Sequence, residues 1–263
     1  EALSLVGTGV SSTGALTNSG GAATYSGAVT IGVGGASIGG TGNITLTTAL
    51  VANASSLTKE GTNTLTLNSA STRTGNTLLN NGVLKLGSTT AIGTTAQTLT
   101  LAGGTLDLAT DTSTSAYNTV VSGTSTTIAS DKATAASAGI THTLGTLSIG
   151  AQTLNITVGT NVTSGTAGVT FGTTSLSAGG AVFAPAAGTL LTLGAVNGTN
   201  TNFSVTGAGN AIIGGIIGTG TGTLTKGGAG NLTLSAANTF SGGTSITAGT
   251  VTMGNASALG SGS

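Results

Sequence analysis

The chain has 263 residues, of which five are Lys or Arg and five are Asp or Glu, so its net charge is zero and only 4% of it is charged. An ordinary soluble domain is about a quarter charged, so polarity here comes from Thr, Ser, Asn and backbone, and a neutral surface gives no electrostatic footprint for nucleic acid or anionic lipid. A hydrophobic fraction of 37% argues against a charge-swollen disordered tail, and 48 Gly without a three-residue period beside the single Pro185 exclude collagen. Thr, Ser, Asn, Val and Gly are poor helix formers, which leaves β structure. Cysteine is absent, so no disulfide staples the fold. No apolar run approaches the ~18 residues of a membrane span; the longest, Ala211 to Ile217, is broken by Gly214 and Gly215. No charged n-region and apolar core follow Glu1, so any export signal is expected to have been removed or to lie upstream.

In chain order, short alternating triplets recur: Leu65-Thr66-Leu67, Leu99-Thr100-Leu101, Leu106-Asp107-Leu108, Leu154-Asn155-Ile156 and Leu232-Thr233-Leu234. Alternate residues of a strand point to opposite faces, so each triplet sends its aliphatics to a core and its central polar residue to water. Gly pairs such as Gly103-Gly104, Gly179-Gly180 and Gly242-Gly243 punctuate the strands and supply corners. Repetition decides the architecture. Residues 57–93 overlie residues 224–260 without a gap, about fifteen of thirty-seven positions being identical. A third, partial copy lies at about 15–50, where Thr24-Tyr25-Ser26-Gly27 echoes Thr239-Phe240-Ser241-Gly242. The pattern predicts an all-β chain, one continuous β-solenoid over 1–263. At about 20 residues per coil it would have roughly 13 coils and a length near 60 Å.

The run from Leu224-Thr225-Lys226-Gly227-Gly228 through Asn231-Leu232-Thr233-Leu234 to Thr239-Phe240-Ser241-Gly242-Gly243 resembles the passenger-associated transport repeat, also called the autotransporter-associated β-strand repeat. The resemblance extends to 57–93 and in part to 15–50; Arg73 stands where the other copy has Phe240. It implies a right-handed parallel β-helix, exported through the outer membrane of a Gram-negative-type bacterium to the cell surface or beyond.

Joining Ser263 to a second copy of Glu1 registers Ala258 to Gly7 on Ala91 to Gly103 without a gap. End-to-end continuation of copies is therefore expected, with Leu3, Leu5, Val6, Ala258 and Leu259 as contact residues, since open strand edges need cover.

Chemistry is sparse. The carboxylates are Glu1, Glu60, Asp107, Asp111 and Asp131; Asp107 and Asp111 can be drawn as an acid/base pair, against the plainer reading of solvated turn residues. His142, the one histidine, can be drawn with Asp131 and a serine as a triad, but no nucleophile elbow accompanies it. One His and no Cys leave no metal set, and no cofactor is expected. Gly218-Thr219-Gly220-Thr221-Gly222 lacks the Lys and helix of a phosphate loop. Lys59 and Lys226, at equivalent repeat positions, are expected to interrupt neutral strands and discourage lateral aggregation. Asn side chains are expected to stack as amide ladders.

The sequence thus points to a non-catalytic extracellular scaffold or adhesin stalk that associates with itself, with a host or matrix glycan as a further partner. An ice- or glycan-binding solenoid is the alternative, its Thr rows drawn from Thr45-Leu46-Thr47, Thr64-Leu65-Thr66, Thr98-Leu99-Thr100 and Thr223-Leu224-Thr225.

Overall fold

The structure, a computed structural model, describes residues 1–262. The described chain is a succession of short strands with a single turn of 3-10 helix at Val10–Ser12. Strands collect into three walls. Wall 1 has eleven strands between Leu3–Gly7 and Ile217–Gly218, and wall 2 has eleven between Ala23–Tyr25 and Thr244–Ile246. Wall 3 has six, from Thr141–Thr143 to Thr250–Met253, and a two-stranded outgrowth pairs Ser137–Ala138 with Val162–Ser164. Each strand pairs in parallel with the strand one coil away, as in Leu65 with Leu84 and Leu84 with Leu106. The result is a parallel β-solenoid of about 11 turns.

That is fewer than the roughly 13 coils expected from a uniform repeat. The difference lies in the middle of the chain. Leu99 pairs with Thr119, 20 residues on, but Thr119 pairs with Leu147, 28 residues on, and Leu147 with Thr174, 27 residues on. The two long coils accommodate the outgrowth and start wall 3. Before them each coil has two strand walls closed by a loop; after them it has three.

Stacking creates inner ladders. Ile44, Leu65, Leu84, Leu106, Ile128 and Ile156 are successive partners in wall 2, and all are buried. In wall 1, Leu79, Leu101, Val121, Ile149 and Leu176 do the same. Burying one Leu removes apolar surface worth about 1.5–3 kcal/mol from water, and each rung shields the next. The wider three-walled half takes larger fillers: all four Phe of the chain, at 171, 183, 203 and 240, lie there and are buried. Phe183 and Phe203 meet edge to face with centroids 6.1 Å apart. In the two-walled half, Arg73, Gln97 and Tyr117 fill the space beneath the closing loops.

Asn side chains work between coils, though not as amide stacks. Asn43 Oδ1 accepts from the Thr64 N–H at 2.9 Å, Asn76 from Thr98 at 2.9 Å, Asn202 from Thr223 at 2.9 Å and Asn210 from Asn231 at 3.0 Å. Each satisfies a backbone donor at or beside the start of a strand one coil later, where the ladder has not yet begun.

The alternation of faces gives a direct test. Leu101→Ala, opening a hole in the wall 1 ladder, should lower unfolding free energy by about 2–5 kcal/mol. Thr100→Ala, on the outward face of the same strand, should change it by less than about 0.5 kcal/mol. Denaturant unfolding of the two variants measures both.

Candidate functional site

Two places concentrate chemistry, and the first is the repeat's corner. Lys59 and Lys226 are 0% and 1% exposed, so they are not the outward strand interrupters expected from sequence. Each sits on an inner ladder: Lys59 pairs with Ile38 and Leu79, Lys226 with Val205 and Ile246. An inward ammonium survives there only if carbonyls surround it. Lys59 Nζ donates to Glu60 O, to Gly61 O at 3.0 Å, to Asn63 Oδ1 at 2.9 Å and to Asn81 O at 3.2 Å. Lys226 Nζ donates to Gly227 O at 2.6 Å, Gly228 O at 2.8 Å and Ala248 O at 3.5 Å. Each lysine ties its own corner to the corner of the following coil. Gly82 and Gly249, with φ of +67° and +72°, let that next corner come close: a Cβ on either would lie 2.4 Å from a carbonyl oxygen and 2.8 Å from the ammonium. Burial pulls the Lys59 ammonium down to about 8, partly opposed by Glu60, and lowers Lys226 as well.

The two copies use different walls. Leu57–Lys59 and Thr64–Leu67 belong to walls 1 and 2, whereas Leu224–Lys226 and Asn231–Leu234 belong to walls 2 and 3. The motif specifies two strands, the corner between them and a closing loop, whichever walls those occupy. Arg73 and Phe240 are both 0% exposed beneath that loop. The Arg73 guanidinium donates to Ile92 O at 2.9 Å, Ser55 O at 2.6 Å and Thr77 Oγ1 at 3.2 Å, and burial lowers it to about 10. A Phe at the same position needs none of these acceptors.

The second place is on the outer face of wall 2. Lys85, Asp107, Asp111, Asp131 and Lys132 make up five of the ten charged side chains and come from consecutive coils. Lys85 Nζ lies 3.0 Å from Asp107 Oδ2 and 3.4 Å from Asp131 Oδ2. Asp131 is fully buried and accepts from the Asn161 N–H at 2.8 Å and the Thr160 hydroxyl at 3.4 Å. Burial raises the Asp107 carboxyl, Lys85 opposes this and Asp131 adds to it. Burial lowers the Lys85 ammonium, but its bonds and charges to Asp107 and Asp131 prevail and hold it above the ordinary lysine value. Asp107 lines a groove of ≈ 230 Å³ with Val83, Thr105, Ala129, Thr157 and Val158.

Asp107 is therefore neither a solvated turn residue nor the partner of Asp111. It sits within the strand Thr105–Ala109; Asp111 pairs instead with Lys132 at 3.4 Å. His142 is a buried strand residue whose Nε2 lies 2.9 Å from the backbone O of Asp131, not from its carboxylate, so no triad forms. Burial lowers its imidazole, opposed by the contacts with Asp131. Among the described residues no three His, Asp or Glu gather closely enough to hold a metal. The Thr rows divide. Thr24, Thr45 and Thr66 are aligned partners on wall 2, but Thr100 lies on wall 1 and Thr225 far along wall 2. Sequence reasoning missed Lys85. Leu84-Lys85-Leu86 and Leu106-Asp107-Leu108 are 22 residues apart, one coil, and both put the charge on the outward position.

Of the expected end contacts, Ala258 is fully buried, Leu5 is 5% exposed, Leu3 and Leu259 are half-buried and Val6 is 62% exposed.

Lys59→Met should destabilise the fold by about 2–4 kcal/mol by leaving several carbonyls without a donor. With the folded ammonium at about 8 and the unfolded one at 10.5, the unfolded chain binds more protons between those values. Stability contributed by Lys59 therefore rises with pH across that window, by up to about 3 kcal/mol. Denaturation at pH 7.5 and pH 10 should show the rise in the parent chain, reduced in the Met variant.

A family model described as Passenger-associated-transport-repeat matches residues 57–86 and 224–253. Neither the curated proteins nor the solved structures give a match to the chain. Both matched segments fall on the corner-lysine unit, and this chain thus carries the passenger-associated transport repeat twice.

Proposed function

We propose that the chain is a non-catalytic part of an autotransporter passenger, displayed outside the outer membrane, where it acts as a stiff scaffold or adhesin stalk. One observation carries this reading: inner ladders and parallel hydrogen bonding run from coil to coil through the chain, so its length and stiffness follow from the stacking itself. The two passenger-associated repeats support the export route. The Thr rows favour an ice-binding face less, because their aligned stretch covers three rungs.

The same reading includes end-to-end association. Leu3 and Leu5 overlie Leu99 and Leu101 in the tail-to-head register, and those pair with Thr77 and Leu79. The repeat offset carries Thr77 and Leu79 onto Thr244 and Ile246. A strand like Leu3–Gly7 thus belongs beside Thr244–Ile246, where Ile246 is 52% exposed while its counterpart Leu79 is fully buried. Leu3–Gly7 lies on wall 1 and Thr244–Ile246 on wall 2, so each added copy would be turned by one wall.

Small-angle scattering should give a rod with an axial length of about 50 Å, from about 11 rungs at ~4.8 Å. Protease added to intact cells making the natural chain should cleave it. A compact globule, or full protection from external protease, defeats the scaffold reading. For association, sedimentation velocity should show linear oligomers that grow with concentration and are lost in Ile246→Lys; monomers in both chains would reject the end contact.

A further inference from the structure

We propose that the groove on the outer face of wall 2 is a binding subsite for a neutral saccharide, centred on Asp107. The outward column of this wall reads Thr24, Thr45, Thr66, Lys85, Asp107, Ala129 and Thr157 in successive aligned coils. The column starts as a hydroxyl ladder and ends in the groove, where the longer coil raises Val158, Gly159 and Thr160 along one side.

The groove holds an acceptor without a donor. Asp107 is 9% exposed; its Oδ2 receives Lys85, but its Oδ1 is buried with no hydrogen-bond partner. A carboxylate's terminal torsion is roughly two-fold, so half a turn exchanges the two oxygens and offers the free acceptor to the groove. Leaving a buried acceptor unpaired is unfavourable, and a ligand that brings a donor relieves it.

The surroundings select the donor. A cationic ligand would meet the Lys85 ammonium, 3.0 Å from the same carboxylate, and an anionic one would meet Asp107 and Asp131. A neutral hydroxyl fits both. Thr105, Thr157 and Thr160 line the groove with hydroxyls that donate and accept, and Val83, Ala129 and Val158 give apolar contact for the C–H face of a ring. Asp131, wholly buried and bonded to Asn161 and Thr160, has a different role: it fixes Lys85 from below and so sets the orientation of Asp107. Vicinal hydroxyls on an apolar frame describe a sugar better than they describe a peptide or a nucleotide.

The test is amide chemical-shift mapping on the intact chain, titrated with neutral gluco-, galacto- and manno-configured oligosaccharides of two to six units, with a sulfated oligosaccharide and spermine as charged controls. At least one neutral series should shift Thr105, Asp107, Ala129 and Thr157, the longer members extending the shifts toward Thr66. Asp107→Asn should weaken that binding about tenfold or more. Ala129→Leu, which fills the groove while leaving the Lys85 ion pairs intact, should abolish it, so a folding defect in the Asn variant leaves the test decisive. Preference for the sulfated sugar or spermine, shifts confined to Thr24, Thr45 and Thr66, undiminished binding in Ala129→Leu, or no shift with any neutral oligosaccharide would each overturn the proposal.

Discussion

No coil of this protein can bury its own apolar side. A coil of about 20 residues offers a few inward aliphatics and two rows of unpaired backbone groups, and both find partners only in the coils above and below. Coil-to-coil stacking therefore supplies core and hydrogen bonding together. It explains how a chain with ten charges and no cysteine folds: the polar groups that matter are backbone groups satisfied along the ladder, and the apolar groups form continuous columns.

Polar side chains inside such a tube occur where stacking leaves backbone unsatisfied. The strand corners turn their carbonyls inward, and Lys59 and Lys226 answer them, each bridging to the next coil. Arg73 answers the carbonyls of a closing loop, and Asn43, Asn76, Asn202 and Asn210 answer N–H groups around strand starts. Each of these groups bonds across coils, so each holds register. A one-coil slip would carry the Lys59 ammonium away from Asn81 and the Asn43 amide away from Thr64. The buried lysine is an expensive residue to place, and its presence in both copies fits a role in fixing the corner that an aliphatic residue could not perform.

The two long coils in the middle change the tube's cross-section. They bring in the third wall, displace the second repeat copy by one wall, and raise the side of the groove that Asp107 lines. The scaffold on either side is regular, and the concentration of charge falls where regularity breaks. Regular rungs give a solenoid its stiffness; an enlarged coil gives it relief on an otherwise flat face.

Much was legible in the residues themselves. Alternating triplets such as Leu65-Thr66-Leu67 fix which side chains face inward, because the strand period is two, and the match of 57–93 with 224–260 fixes a stacked repeat. The number of coils was not legible, because the loops of the 27- and 28-residue coils carry no signal of their length in alternation. Nor was the position of the lysines: Leu-Thr-Lys alternates like any strand, and only the closed corner shows that the third residue points at carbonyls. Asp107 and Asp131 looked isolated because their partner Lys85 is distant in sequence and becomes a neighbour only when one coil lies on another. Local pattern determined strand, face and repeat; the register between coils, a long-range property, decided which charged groups meet.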